Sequence, residues 1–161
     1  MSALLDDEIE RIVRLVPVAT HNQRARATLL VGVPDGRDVP AETLLEIAED
    51  SMSSEIYEVL KRPDEQYVVD RAHRRPRFVE DSVREMVRSV VERFPDLPDD
   101  AFVRAHQENF ETIHTHDVEA ERSGSLGEIR RELAEGEPSP HHVTLSEWLG
   151  GKEAQTTGDS G

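Results

Sequence analysis

The stretch 79–94 constrains the fold more than any other. Val79, Val83, Met86, Val87, Val90 and Phe94 recur at helical spacing and form one apolar stripe. A helix with such a stripe must bury it against another element. Short alternating runs supply the partner. In residues 24–33, Ala25, Ala27, Leu29 and Val31 alternate with Arg24, Arg26, Thr28 and Leu30, the period of a strand with one buried face. Residues 101–110 read as a second strand, and 116–122 as a third, antiparallel to it after a tight turn. Further helices are expected over 5–16, 40–52, 55–61, 64–74 and 126–133. In the first, Ile9, Ile12, Val13 and Val16 lie at helical spacing, Asp6 and Asp7 favour the N-terminus, and Pro17 ends it. Residues 34–38, Pro-Asp-Gly-Arg-Asp, read as a turn. This order predicts an α+β domain over 1–134, with helices packed on one face of an antiparallel sheet. So few strands leave edges that need covering or pairing with another chain. Beyond residue 134 Gly, Pro, Ser, Glu and Thr dominate, and 135–161 reads as a mostly disordered acidic tail with a short helical turn around 145–149.

Charge narrows the partners. Thirty-four acidic residues against 19 basic ones give a formal net charge of −15, which repels nucleic acid and anionic membrane. Only Lys61 and Lys152 are lysines; the other basic residues are arginines. Acid excess with so little lysine resembles the proteins of salt-loving archaea, whose high salt screens self-repulsion; an ordinary acidic cytosolic protein is the plainer reading. Cysteine is absent, so this chain carries no disulfide, thiolate ligand or thiol nucleophile. Apolar residues are 36% and aromatics 4%, which predicts a thin aliphatic core. No apolar run reaches membrane-spanning length and the first residues do not read as a signal peptide, so a cytoplasmic protein is expected.

Histidines and carboxylates carry the candidate chemistry. His114 and His116 follow Gln107-Glu108-Asn109; in an extended strand, residues two apart share a face, so both could meet one ion, or one could bind while the other moves a proton. A lone His-x-His is weak evidence. His21 opens His21-Asn22-Gln23-Arg24, for which a polar turn into a strand is the simpler role. Asp64 and Glu65 after Pro63, and Glu80 with Asp81 on the next helix, suit the positive end of a helix dipole. Glu80, next to the core residue Val79, could also accept the N–H groups of a guanine ring. Arg24, Arg26, Lys61 and Arg62 are candidate phosphate contacts, with surface ion pairs as the commoner alternative. His73, His106, His141 and His142 read as surface or packing residues, the last two able to bind metal nonspecifically. Phosphate-binding glycine loops and dinucleotide fingerprints are absent. Histidines and carboxylates without cysteine suit Fe(II), Mn(II) or Zn(II).

Four strings together resemble a known family: residues 16–24, VPVATHNQR; 57–65, YEVLKRPDE; 77–81, RFVED; and 107–116, QENFETIHTH. In this order they are similar to the archaeal, iron-dependent GTP cyclohydrolases of the methanopterin pathway and to their bacterial zinc-independent relatives. The resemblance runs from about residue 6 to 133. It implies a tunnelling-fold module that assembles into oligomeric barrels. It implies hydrolysis of the guanine imidazole ring of GTP, with release of formate and pyrophosphate and formation of dihydroneopterin cyclic phosphate. By the same resemblance His21 and His114 are metal ligands, Glu65 is a further ligand or a near neighbour of the metal, His116 supports the ligands or transfers a proton, and Glu80 anchors guanine. Family chains carry a further N-terminal half that supplies another metal-site residue, Cys or Asp, for which 6–16 offers no replacement. The expectations are therefore a homo-oligomer, or a partner chain that supplies that half, or a truncated, non-catalytic module that binds metal or nucleotide or only assembles.

Overall fold

The computed structural model describes residues 2–15, 23–34 and 36–156. Three strands, β1 (Ala25–Gly32), β2 (Phe102–Asn109) and β3 (Val118–Ser125), form an antiparallel sheet in the order β1-β2-β3. The register aligns Ala27 with Gln107 and Ala120, and Gly32 with Phe102 and Ser125. Six helices accompany it: α1 (Ser2–Leu15), α2 (Ala41–Asp50), α3 (Arg62–Arg74), α4 (Val79–Arg93), α5 (Leu126–Glu135) and α6 (Leu145–Thr156). The architecture is α+β, consistent with a tunnelling-fold module.

The stripe on α4 does what its spacing predicts. Val83, Met86, Val87 and Val90 are buried against Val103 and Ala105 of β2, with Ala27, Leu29 and Val31 of β1 packed alongside. Ile47 from α2 and Leu126 and Ile129 from α5 complete one aliphatic cluster. Fully burying a side chain of this size stabilises by about 1.5–3 kcal/mol. Helix starts are fixed locally: Ser125 Oγ accepts from Glu128 N–H at 3.2 Å, and the Asp81 carboxylate accepts from Phe78 N–H at 3.2 Å. Gly136, at φ 73°, ends α5 in the left-handed region that glycine tolerates.

The other sheet face is polar over most of its length. A ladder of pairs crosses it: Arg26 with Glu108 at 3.3 Å, His106 with Glu119 at 3.3 Å and Arg104 with Glu121 at 2.7 Å. Among the described residues, α6 covers its Phe102 end. The Trp148 ring lies 5.6 Å from the Phe102 ring, and its Nε1–H donates to the Asp100 carbonyl at 2.7 Å.

Several expectations meet a different structure. Residues 55–61 are not helical; Ile56 and Val59 are 72% and 82% exposed, so a helix there would bury no face. The turn between β2 and β3 is not tight but a loop over 110–117, and β3 starts at Val118, so His116 precedes the strand. In the segment expected as a mostly disordered tail, the helical turn expected around 145–149 is the start of the longer α6, which carries an indole anchor. On α1, the helix forms as predicted, but Ile9, Ile12, Val13 and Leu15 are 51–60% exposed. Among the described residues, no helix is long and apolar enough to cross a membrane.

Candidate functional site

The loop 110–117 hangs from one end of the sheet. Phe110 N–H donates to the Arg24 carbonyl at 2.9 Å, extending the β1–β2 ladder by one step. The neck of the loop is closed by Asp117, whose Oδ1 accepts from Glu111 N–H at 3.0 Å. Gln23 Nε2 donates to Glu111 Oε1 at 2.8 Å, tying the loop to the entrance of β1. Arg26 covers the Phe110 ring, with Cζ 5.1 Å from its centroid. Under the loop, Gln107 is 3% exposed and donates from Nε2 to Asn109 Oδ1 at 2.8 Å.

His114 and His116 sit at the outer part of this loop, both exposed, with ring centroids 5.7 Å apart and planes 29° from parallel. A loop, rather than alternation along a strand, makes them neighbours. His21 lies outside the described residues, two positions before Gln23 in sequence. Arg24 is exposed at the same end of the sheet. Glu65 lies in the first turn of α3, with Lys61 and Arg62 at its start, all exposed. There the capping role is filled by Asp64, whose Oδ2 accepts from Lys61 N–H at 2.9 Å. Glu80, in the first turn of α4, is exposed although its neighbour Val79 is in the core, and lines a groove between α4, β3 and α5 with Arg77, Arg122, Glu132 and His142.

Sequence reasoning passed over that groove's charged clasp. Arg122 Nη2 lies 2.7 Å from Glu132 Oε2 and 3.4 Å from Glu128 Oε1, and His142 Nδ1 lies 3.0 Å from Glu128 Oε1. Burial works to raise the Glu132 pKa, but the Arg122 guanidinium and the Ser139 N–H outweigh it and hold the carboxyl below its usual range. Among the described residues, Glu128, Glu132 and His142 are the one trio of ligating side chains whose donor atoms fall within 4.8 Å of one another. Arg122 already sits between the two carboxylates, which makes the trio an ion-paired clasp rather than a site held open for a divalent ion. The i, i+4 spacing of Glu128 and Glu132 was the available signal, since it puts both on one helix face. Nothing local in the sequence links Arg122 or His142 to them.

The family model described as Type I GTP cyclohydrolase folE2 matches residues 4–120. The GTP cyclohydrolase MptA of Methanococcus aeolicus is 52% identical over 128 residues, 80% of this chain and 41% of that protein. Its namesake from Methanocaldococcus jannaschii is 49% identical over 128 residues, with the same coverage. That of Methanothermobacter thermautotrophicus is 48% identical over 132 residues, 81% of this chain and 42% of that protein. The chain thus spans about two fifths of the length of the curated relatives it matches.

Proposed function

Because the chain belongs to the Type I GTP cyclohydrolase folE2 family, we propose that it carries part of the active site of a metal-dependent GTP cyclohydrolase. The reaction on this reading is hydrolysis of the guanine imidazole ring of GTP with loss of formate. The products are dihydroneopterin cyclic phosphate and pyrophosphate, in the first step of pterin synthesis, toward methanopterin or folate. The observation that carries the reading is the presentation of His114 and His116 side by side on a loop pinned to the β1 entrance by Gln23 and Glu111.

Two exposed imidazoles suit a borderline divalent ion. On this reading His114 holds the ion together with His21 and Glu65, and a donor from outside this stretch of chain completes the set. A bound Fe(II), with Mn(II) or Zn(II) as alternatives, would supply Lewis acidity that makes water nucleophilic near neutral pH. The chain's own residues do the rest. His116, exposed beside His114, takes and returns a proton at its free ring nitrogen. Glu80 accepts the guanine N–H groups as a bidentate carboxylate. Arg24, Lys61 and Arg62 meet the phosphates. The remaining structure comes from further copies or from a partner chain, for which the sheet's outer strands are open. Net charge argues against nucleic acid and membrane as partners and fits a cytoplasmic protein of a salt-loving archaeon.

A second reading is a module that binds metal or nucleotide without turnover. Anaerobic assays separate the two. The purified chain is mixed with Fe(II) and GTP, with and without the N-terminal part of the Methanococcus aeolicus relative. Formate and pterin fluorescence in the complemented mixture are the expected result. Their absence, with Fe(II) binding retained, leaves the non-catalytic module.

A further inference from the structure

The core face of β2 changes character at Gln107. Val103 and Ala105 precede it on that face and belong to the aliphatic cluster. Its cross-strand neighbours are alanines, Ala27 on β1 and Ala120 on β3, both packed against the same cluster. An aliphatic side chain would suit this position, yet a carboxamide fills it and is 3% exposed. Its Nε2–H donates to Asn109 Oδ1 at 2.8 Å, and among the described residues its Oε1 is buried without a hydrogen-bond partner. Burying an acceptor in that state costs stability. Positions that break a folding rule in this way concentrate at functional sites.

The residue that Gln107 holds accounts for the exception. Asn109 is the last residue of β2, and the loop 110–117 departs from it. It pairs in register with Ala25 and with Val118, the first residue of β3, so it stands at the neck of the loop. His114 and His116 are exposed, and exposed rings gain little from packing. Their 5.7 Å spacing is therefore set from the base of the loop. On one side of that base Gln23 holds Glu111, and beneath it Gln107 holds Asn109. We propose that Gln107 is a positioning residue. Acting through Asn109, its buried amide fixes the departure of the loop, and with it the arrangement of His114 and His116 toward a divalent cation. This rests on the metal-site reading of those two histidines.

A positioning role and a structural one differ in sign. Gln107→Met keeps the length of the side chain and removes both the donor and the unpartnered acceptor. An amide that only served the fold would take stability and binding down together. An amide that positions the loop at the expense of the core gives a chain as stable or more so, with a looser site.

Co(II) alone is the probe, added to the full chain without GTP. Calorimetry gives its affinity, and paramagnetically shifted imidazole N–H resonances show which histidines bind it. The resonances and affinity lost in His114→Ala define the site among the chain's other histidines. Gln107→Met should keep or raise the urea midpoint, weaken Co(II) at this site about tenfold and move the loop histidine resonances. Asn109→Ala, at a half-buried strand end, should weaken binding similarly. The double variant should lose no more than either single one, because both break the same link. Parental affinity and resonances in Gln107→Met or in Asn109→Ala overturn the proposal. So does a roughly hundredfold loss in the double variant, which would mean that the two amides act separately. A loss of affinity in Gln107→Met that comes with a lowered urea midpoint also overturns it, in favour of a structural role. In each of these cases the metal-site reading stands, because His114→Ala still abolishes the site. If His114→Ala leaves resonances and affinity unchanged, the loop holds no metal, and the reading and the proposal fail together.

Discussion

Gly32 shows how closely a single position can be set by a contact far away in sequence. A Cβ added there would lie 2.7 Å from Trp148 Cη2, well inside van der Waals contact. Gly32→Ala must therefore push the indole off Phe102, at a cost of about 1–3 kcal/mol, the usual range for overpacking. Urea denaturation followed by Trp148 emission would measure it. Gly151→Ala makes the opposite prediction: nothing lies within 4 Å of its Cβ position, and alanine is the better helix former by about 1 kcal/mol. That variant should stabilise α6 and protect its amides from exchange. Glu132 gives a pH prediction with a definite sign. Its folded pKa is depressed, so its contribution is present above the unfolded carboxylate value and is lost as pH falls through the folded one. Glu132→Gln should accordingly be less stable than the parent near neutrality, with the difference narrowing in acid. Denaturant midpoints at a series of pH values test this, and a difference that widens in acid would refute it.

Among the elements, α4 carries the fold and α1 does not. Met86 is fully buried at the centre of the aliphatic cluster, so Met86→Ala should cost about 2–5 kcal/mol in denaturant unfolding. The apolar residues of α1 stay half-exposed, and Ile12→Ala should change the stability of the isolated chain little, by roughly 0.5 kcal/mol or less. Both helices were legible in the sequence because each repeats apolar residues at a helical period. The period alone did not tell which stripe is buried, since that depends on which face meets the sheet. Residues 55–61 mark another limit. A helix was expected there, yet this stretch is held by side chains: Glu55 accepts from Arg71 Nη1 at 2.7 Å and from Tyr57 Oη at 2.8 Å. The candidate site was readable as residue types, because His-x-His and the string ending in Glu65 are local. Its geometry was not, because the loop's placement depends on Gln23 and Glu111, 88 positions apart. The path of residues 137–148 was illegible for the same reason: polar composition predicted disorder with one short helical turn, whereas one indole on Phe102 and one clasp on α5 hold the segment.

For the whole molecule, the net charge of −15 is the term that solution conditions change most. Screening acts on two opposing sets of interactions. Exposed ion pairs such as Arg84 with Asp81 and Arg74 with Asp70 each contribute about 0–1 kcal/mol and weaken with salt. Fifteen unbalanced negative charges repel one another at longer range, and that repulsion is lost as the Debye length falls from ~10 Å at 0.1 M to ~3 Å at 1 M. Close pairs at about 3 Å lie within the Debye length throughout this range, whereas charges spread over the surface do not. Salt should therefore remove more repulsion than attraction, and the melting temperature should climb between 0.1 and 1 M KCl. The docked indole provides an internal control, because it is held by ring packing on Phe102 and a hydrogen bond to the Asp100 carbonyl rather than by an ion pair. Trp148 emission at low temperature should then change little over the same range. Calorimetry and fluorescence on the same samples would check both parts. A melting temperature that falls with KCl would mean that local ion pairs, rather than global repulsion, dominate this surface, and would remove the charge argument for a protein adapted to high salt.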